Sequence, residues 1–163
     1  MPSMREAIHI VLAALCVQAG SASLVPAGSA APKHLTLAAS SSAPSAAPGA
    51  KVSLFVDVMP NPGIHVYAPG AKDFQPIALQ LSPIAGISAG KVLYPKSEMM
   101  TFADEQVPVF QKPFRLAEEV TLARSAKPGT TLAISGILRY QACDDAVCFI
   151  PASEPVRWTI TVK

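Results

Sequence analysis

Two cysteines five positions apart, Cys143 and Cys148, are the residues of this sequence best suited to do chemistry. Apolar, β-forming residues flank the pair, and the segment between them begins with the turn formers Asp144 and Asp145. The pattern predicts a β-hairpin with one cysteine on each side of its loop. Opposed residues of antiparallel strands have Cα atoms about 4.5–5.5 Å apart, within the range of a disulfide. The spacing therefore permits a bond that can open and close.

Three uses of such a pair remain open from spacing alone. A structural disulfide across one hairpin gains little, about 2 kcal/mol for so short a loop, and joins strands that are already paired. A redox pair would exchange disulfides with the thiols of a partner. A metal site is disfavoured, because two cysteines without a nearby histidine do not complete a zinc site. Thioredoxin-type chemistry is also disfavoured, because it uses C-x-x-C at a helix N-terminus.

The two aspartates between the cysteines bear on their reactivity. Carboxylates close to a thiol disfavour the thiolate, so Asp144 and Asp145 are expected to raise the pKa of the cysteines. A redox pair in this setting would react slowly alone and would be activated by a docked partner. The simpler interpretation is that both aspartates only form the turn.

Residues 64–67 alternate in hydrophobicity, which places His65 and Tyr67 on one face of a strand. Both are either ordinary solvent-facing residues or a polar rim of the disulfide, with His65 or the Tyr67 hydroxyl donating to a sulfur. Residues 96–107 have no regular period and predict an irregular loop. Its Phe102, with two methionines, is either part of the core and its rim or a cover over apolar surface.

Short alternating stretches predict the strands that must position these residues. Residues 52–58 are the clearest, with four apolar side chains on one face. Residues 40–50 have the composition of a loop or linker. The 16 prolines and the near absence of helical periodicity favour an all-β sandwich. The predicted strands are residues 33–39, 52–58, 64–67, 77–81, 86–94, 109–110, 114–116, 120–122, 132–140 and 156–162.

The N-terminus predicts a secretory signal over residues 1–23, with Arg5 before an apolar stretch and small residues after it. Cys16 lies inside that stretch, and a lipoprotein is disfavoured because Leu15 is too large to precede a lipidated cysteine. Residues 24–32 predict a flexible leader and residues 33–163 one domain. The mature chain would carry one cysteine pair in an oxidising compartment.

Charge and composition exclude several classes of function. Thirteen basic and eleven acidic residues give a net charge of +2, without a Lys/Arg cluster, which argues against nucleic-acid binding. No apolar run reaches the ~18 residues needed to span a bilayer. No Ser/His/Asp or paired-carboxylate arrangement of a hydrolase can be assigned.

Residues 138–151 (LRYQACDDAVCFIP), with Tyr140 three positions before the first cysteine, resemble a known redox hairpin. It is that of the N-terminal periplasmic domain of DsbD, the thiol:disulfide interchange protein. Residues 63–67 (GIHVY), Tyr94-Pro95 and Pro48-Gly49 support the resemblance. It covers about residues 33–163, so that the loop at 40–50 lies inside the domain.

The resemblance implies an immunoglobulin-like β-sandwich with a redox-active hairpin and no cofactor beyond the disulfide. It implies that Cys148 attacks a substrate disulfide and Cys143 resolves the mixed disulfide. His65 and Tyr67 would lie beside the cysteines, and Phe102 would belong to a cap loop that shields them. Family members take electrons from a membrane-embedded partner and deliver them to periplasmic thioredoxin-fold proteins.

Two features depart from this pattern. The cysteines are separated by four residues, whereas the best-known members have five. The sequence ends at Lys163, without a membrane domain or a C-terminal thioredoxin domain, so we expect an electron donor in trans. The rival hypothesis is a non-catalytic β-sandwich with a structural disulfide, which would bind a protein partner through residues 96–107.

Overall fold

The computed structural model describes residues 34–102 and 104–163; the predicted signal peptide and leader lie outside these residues. The described residues form no helix that could cross a membrane. They form twelve strands: β1 (Leu35–Ser41), β2 (Ser45–Ala46), β3 (Lys51–Pro60), β4 (His65–Tyr67), β5 (Ala78–Leu81), β6 (Ile87–Leu93), β7 (Glu98–Phe102), β8 (Glu105–Phe110), β9 (Phe114–Leu122), β10 (Thr131–Tyr140), β11 (Ala142–Cys143) and β12 (Ala152–Val162).

Two four-stranded sheets enclose the main core. One has the order β1-β3-β9-β6 and the other β2-β12-β10-β5. Alternate side chains of each sheet join a single buried cluster, which includes Leu54 and Leu116 from the first sheet and Ile134 and Trp158 from the second. The Trp158 indole N–H also donates to the Phe55 carbonyl, 3.1 Å away. The predicted immunoglobulin-like β-sandwich is confirmed.

A third sheet, of order β11-β4-β8-β7, carries the cysteine region. Its Val66 and Phe110 belong to the main core. Other side chains of the same sheet form a second, smaller core: Tyr67, Val107, Val109 and Cys143. The sheet therefore ties the cysteine hairpin to the sandwich and also gives it a small core of its own.

The prediction of an irregular loop over residues 96–107 is wrong. Strands β7 and β8 pair there as an antiparallel hairpin, from Glu98 opposite Val109 to Phe102 opposite Glu105. Strand β7 lies at the edge of its sheet, and most of its side chains are exposed, including Met99 at 58%. A strand exposed in this way has no alternation of apolar and polar residues, so periodicity cannot reveal it.

The structure also differs from the prediction at residues 40–50 and in the ninth strand. Residues 40–50 contain the end of β1 and the short strand β2, which pairs with the end of β12 in parallel. The fragments predicted at 114–116 and 120–122 are one strand, β9. Glu118 lies on the buried face of β9 with only 4% of its surface exposed, and this charged residue interrupts the apolar alternation.

Replacing Glu118 with Gln is expected to stabilise the fold at neutral pH. Burial raises the pKa of Glu118, and its Oε2 accepts no hydrogen bond from the residues the structure describes. Because the pKa of Glu118 is higher in the folded state, its contribution to the stability of the fold is fully present below the unfolded-state pKa. That contribution is lost as the pH rises through the folded-state pKa. Urea unfolding should show Glu118→Gln more stable at pH 7 by about 1 kcal/mol, the low end of the cost of a buried polar group without a partner, and the gain should shrink as the pH falls and the Glu118 carboxyl becomes protonated. Equal stability of the two proteins at pH 7 would contradict this.

Candidate redox site

The cysteine hairpin changes sheets just before its loop. Strand β10 pairs with β12 as far as Tyr140 opposite Ala152. Strand β11 pairs instead with β4, which places Cys143 directly opposite His65. Cys148 then faces Cys143 in an isolated antiparallel bridge. The change of sheet moves the first cysteine from the large sandwich into the small third sheet.

Cys143 and Cys148 form a disulfide, with Cα atoms 4.1 Å apart. The predicted pairing across the hairpin is therefore confirmed. The two cysteines differ in environment: Cys143 is 1% exposed and belongs to the second core, whereas Cys148 is exposed. An incoming thiol can therefore approach Cys148 far more easily than Cys143.

Asp144 shapes the loop between the cysteines. Its Oδ1 accepts the backbone N–H groups of Ala146 and Val147 at 2.8 and 2.7 Å. These two bonds, more than any other influence, lower the pKa of Asp144. Asp145 is exposed and lines a small cavity of about 150 Å³ together with His65. Asp144 thus stabilises the turn through these hydrogen bonds, whereas Asp145 borders the cavity beside His65.

The hydroxyl of Tyr67 contacts both sulfurs. Its Oη lies 3.2 Å from Cys143 Sγ and 3.3 Å from Cys148 Sγ, and disulfide sulfurs carry no proton, so the hydroxyl is the donor. Tyr67 is fully buried, so the solvent-facing alternative is wrong for it. Burial raises the pKa of Tyr67, which keeps the hydroxyl protonated and able to donate. The hydroxyl is therefore placed to stabilise negative charge on either sulfur.

His65 is also buried, with 4% of its surface exposed, so the solvent-facing alternative is wrong here too. Its ring meets Tyr67 edge-on with centroids 5.7 Å apart. Its Nε2 makes no hydrogen bond with the residues that the structure describes. Burial lowers the pKa of His65, and the charges of Asp145 and Asp144 partly oppose this.

Phe74 is a site residue that the sequence analysis does not single out. Its ring stacks on Tyr67 with centroids 4.1 Å apart and planes 13° apart. Phe102 packs edge-on against Phe74 at 6.1 Å and is 43% exposed. The shielding role of Phe102 stays a prediction, and the ring in direct contact with Tyr67 is Phe74. Phe74 lies between β4 and β5, where no periodicity marks it, and its aromatic character in a polar loop is the available signal.

Gln141, at the point where the hairpin changes sheets, ties two segments together. Its Oε1 accepts the Gln75 N–H at 3.0 Å, and its Nε2 donates to the Phe149 carbonyl at 3.1 Å. The Phe149 ring in turn stacks on His34, with centroids 3.8 Å apart. Both the backbone carbonyl and the ring of Phe149 therefore hold the segment after Cys148 in place.

Tyr140, the remaining predicted site residue, packs in the main core. Its hydroxyl is buried and bonds to no residue in the described ranges. Burial, with a smaller effect of Glu154, raises its pKa to about 12. Among the residues with described positions, no group of three or more His, Cys, Asp or Glu side chains is placed to hold a metal ion.

Comparisons with known proteins agree with this geometry. Residues 34–159 match the family model described as thiol:disulfide interchange protein DsbD, N-terminal. No curated protein matches the sequence. The structure is similar to the reduced N-terminal domain of DsbD from Neisseria meningitidis, with 16% identity and a TM-score of 0.51 over 79% of this chain and 87% of that chain.

It is also similar to the N-terminal periplasmic domain of ScsB from Proteus mirabilis, with 13% identity and a TM-score of 0.55. That match covers 78% of this chain and 47% of the ScsB chain, so this chain spans about half of its length. At such identities the two structures establish the fold, and the family model, which spans most of the sequence, establishes the relationship. Together with the disulfide-bonded pair, the match shows that this chain belongs to the family of DsbD N-terminal domains.

Proposed function

We propose that this protein is a thiol–disulfide exchange module that passes two electrons at a time to or from thioredoxin-fold partners. The observation that carries the proposal is the unequal exposure of a bonded pair whose sulfurs share one hydroxyl donor. Exchange requires one sulfur open to in-line attack and a second that leaves as a thiol of moderate pKa. Cys148 is suited to the first role by its exposure, and Cys143 to the second.

In the direction of partner reduction, the Cys148 thiolate attacks the partner's disulfide and forms a mixed disulfide. The Cys143 sulfur then attacks Cys148 Sγ, releases the partner's second thiol and closes the internal bond. Tyr67 donates a hydrogen bond to whichever sulfur carries charge. Phe74, stacked on Tyr67, limits access to this donor from solvent until a partner docks.

The disulfide alone serves as the electron carrier, so the proposed function needs no added cofactor. The predicted signal peptide and the periplasmic origin stated for the ScsB domain support a location in the periplasm. The electron donor would be a membrane-embedded protein acting in trans, as the family relationship suggests.

The reduction potential of the Cys143/Cys148 pair tests the proposal. A carrier has to exchange with other dithiols, so we expect a potential above about −300 mV, because structural disulfides have potentials below that value. Equilibration with glutathione or dithiothreitol followed by mass spectrometry of trapped thiols measures it. A potential below that limit would show an inert bond and favour the rival binding module. For that module, replacing both cysteines with Ala would lower stability and leave partner binding intact.

A further inference from the structure

The exchange cycle requires a base beside Cys143. Because Cys143 is 1% exposed, its thiol cannot readily release a proton to bulk water before it attacks the mixed disulfide. We infer that His65 is the base that removes this proton in the second step of the exchange, an inference that rests on the proposed function.

The sheet register places His65 and Cys143 directly opposite each other with their side chains on the same face. Cys143 and His65 are directly paired on antiparallel strands, and such residues have Cβ atoms about 4.5–5.5 Å apart on the same face. Tyr67 lies two positions from His65, on that same face, and its hydroxyl reaches Cys143 Sγ at 3.2 Å. The histidine, the tyrosine and the buried sulfur therefore share one side of the third sheet.

The imidazole has a nitrogen available for the proton. His65 Nε2 is buried and has no hydrogen-bond partner in residues 34–102 or 104–163. Reduction of the disulfide creates a new donor, the Cys143 S–H, directly across the strand pair. A buried polar atom without a partner is costly, so a bond from this thiol to Nε2 would also favour the reduced form.

The charges around His65 suit a base at neutral pH. Its burial keeps the imidazole neutral and able to accept a proton. The titratable groups that face it are Cys143 across the strand pair, Tyr67 on its own strand, and Asp144 and Asp145 from the loop. The two carboxylates stabilise the imidazolium once it forms. The small cavity that His65 shares with Asp145 offers the proton a route to solvent.

The Cys143 S–H proton moves to His65, and the Cys143 sulfur forms a bond with Cys148 Sγ. The bond between Cys148 and the partner's sulfur breaks, and its electron pair leaves on that sulfur as a thiolate. The two cysteines are thereby oxidised and the partner is reduced. The imidazolium returns its proton to water through the cavity.

A coloured aromatic disulfide, dithiobis(nitrobenzoate), separates the two steps in a stopped-flow experiment on the reduced protein. Attack by Cys148 releases one coloured thiolate in a phase that depends on reagent concentration. Attack by Cys143 releases the second in a phase that does not. His65→Gln is expected to slow the second phase by about 100-fold, the usual contribution of a general base, and to change the first by less than about twofold.

The matched control is His34→Gln, which removes the histidine that stacks on Phe149 and lies outside the Cys143–His65 strand pair. Because His34 supports the segment after Cys148, any change of rate should fall on the first phase, and the second phase should keep the rate and pH profile of the unaltered protein. In the unaltered protein the second phase should rise with pH and level off below the ordinary histidine pKa of 6.5, because burial lowers the pKa of His65. In His65→Gln it should keep rising with pH, because only solvent then removes the proton. A structural role of His65 would change the rate without changing this profile.

Equal second phases in His65→Gln and the unaltered protein would overturn the inference, as would an equal slowing of both phases. If His65→Gln fails to fold, Asp145→Asn at the exposed loop position tests the same point. Loss of that charge should move the pH step of the second phase to lower pH, and an unmoved step would count against the base. The small reagent needs no protein partner, so failure to react with thioredoxin-fold proteins would sink the proposed function and leave this result standing.

Discussion

Replacing Cys148 with Ala is expected to reduce thiol–disulfide exchange to background, whereas Cys143→Ala is expected to trap the partner. The reason is the unequal exposure of the pair: Cys148 is exposed and Cys143 is buried in the second core. Without Cys148 there is no accessible sulfur to attack. Without Cys143 the first attack proceeds, but nothing resolves the mixed disulfide.

Mass spectrometry and non-reducing electrophoresis measure this directly. The reduced Cys143→Ala protein is incubated with an oxidised thioredoxin-fold protein, and the adduct should equal the sum of the two masses and disappear with dithiothreitol. The protein with both cysteines replaced by Ala is the control and should form no adduct. An adduct formed by Cys148→Ala through Cys143 would reverse the assigned roles. Each variant loses the ring closure of the disulfide, about 2 kcal/mol, so unfolding curves should accompany the assay.

Removing the hydroxyl of Tyr67 is expected to slow the opening of the disulfide by about 10- to 100-fold. When a thiol attacks Cys148, negative charge develops on Cys143 Sγ, which lies 3.2 Å from Tyr67 Oη. A hydrogen bond to a charged group contributes about 1.5–3 kcal/mol, and the fold-change follows from that range. Stopped-flow reduction of Tyr67→Phe by dithiothreitol measures the effect, since the ring and its stack on Phe74 are kept.

Tyr140→Phe is the matched control for this experiment. Tyr140 is as buried as Tyr67, but its hydroxyl bonds to no residue that the structure describes. Its removal should leave the rate of reduction unchanged and should not lower stability. If Tyr67→Phe opened at the rate of the unaltered protein, the hydroxyl would have no part in the exchange. If both variants slowed alike, the effect would come from packing.

The features that could be predicted from the sequence are local ones. The pairing of Cys143 with Cys148 follows from their spacing, because a short turn brings the flanks of a hairpin within bonding distance. The β-sandwich follows from alternating stretches such as residues 52–58, because a strand with one buried face has a period of two. The family could be recognised because the hairpin segment itself carries the distinctive residues.

The limits of this reasoning appear at particular residues. Glu118 interrupts the alternation of β9, so the sequence pattern predicts two fragments where the structure has one strand. Strand β7 is exposed at every residue except the partly buried Met100, and its sequence shows no alternation. Phe74 contacts Tyr67 from a loop, where its position follows no period. In each case the environment of the side chain, and not the local sequence, determines the structure.

Spacing and alternation along the chain are enough to predict two cysteines facing each other on a hairpin of a β-sandwich. Tertiary packing sets which sulfur is exposed, buries His65 and Tyr67, and brings a tyrosine 76 residues before Cys143 to both sulfurs. The physical reason is that backbone geometry acts between near neighbours in the chain. Burial and hydrogen bonding at the disulfide arise from the pairing of β4 with β11, two strands of the third sheet that lie far apart in sequence.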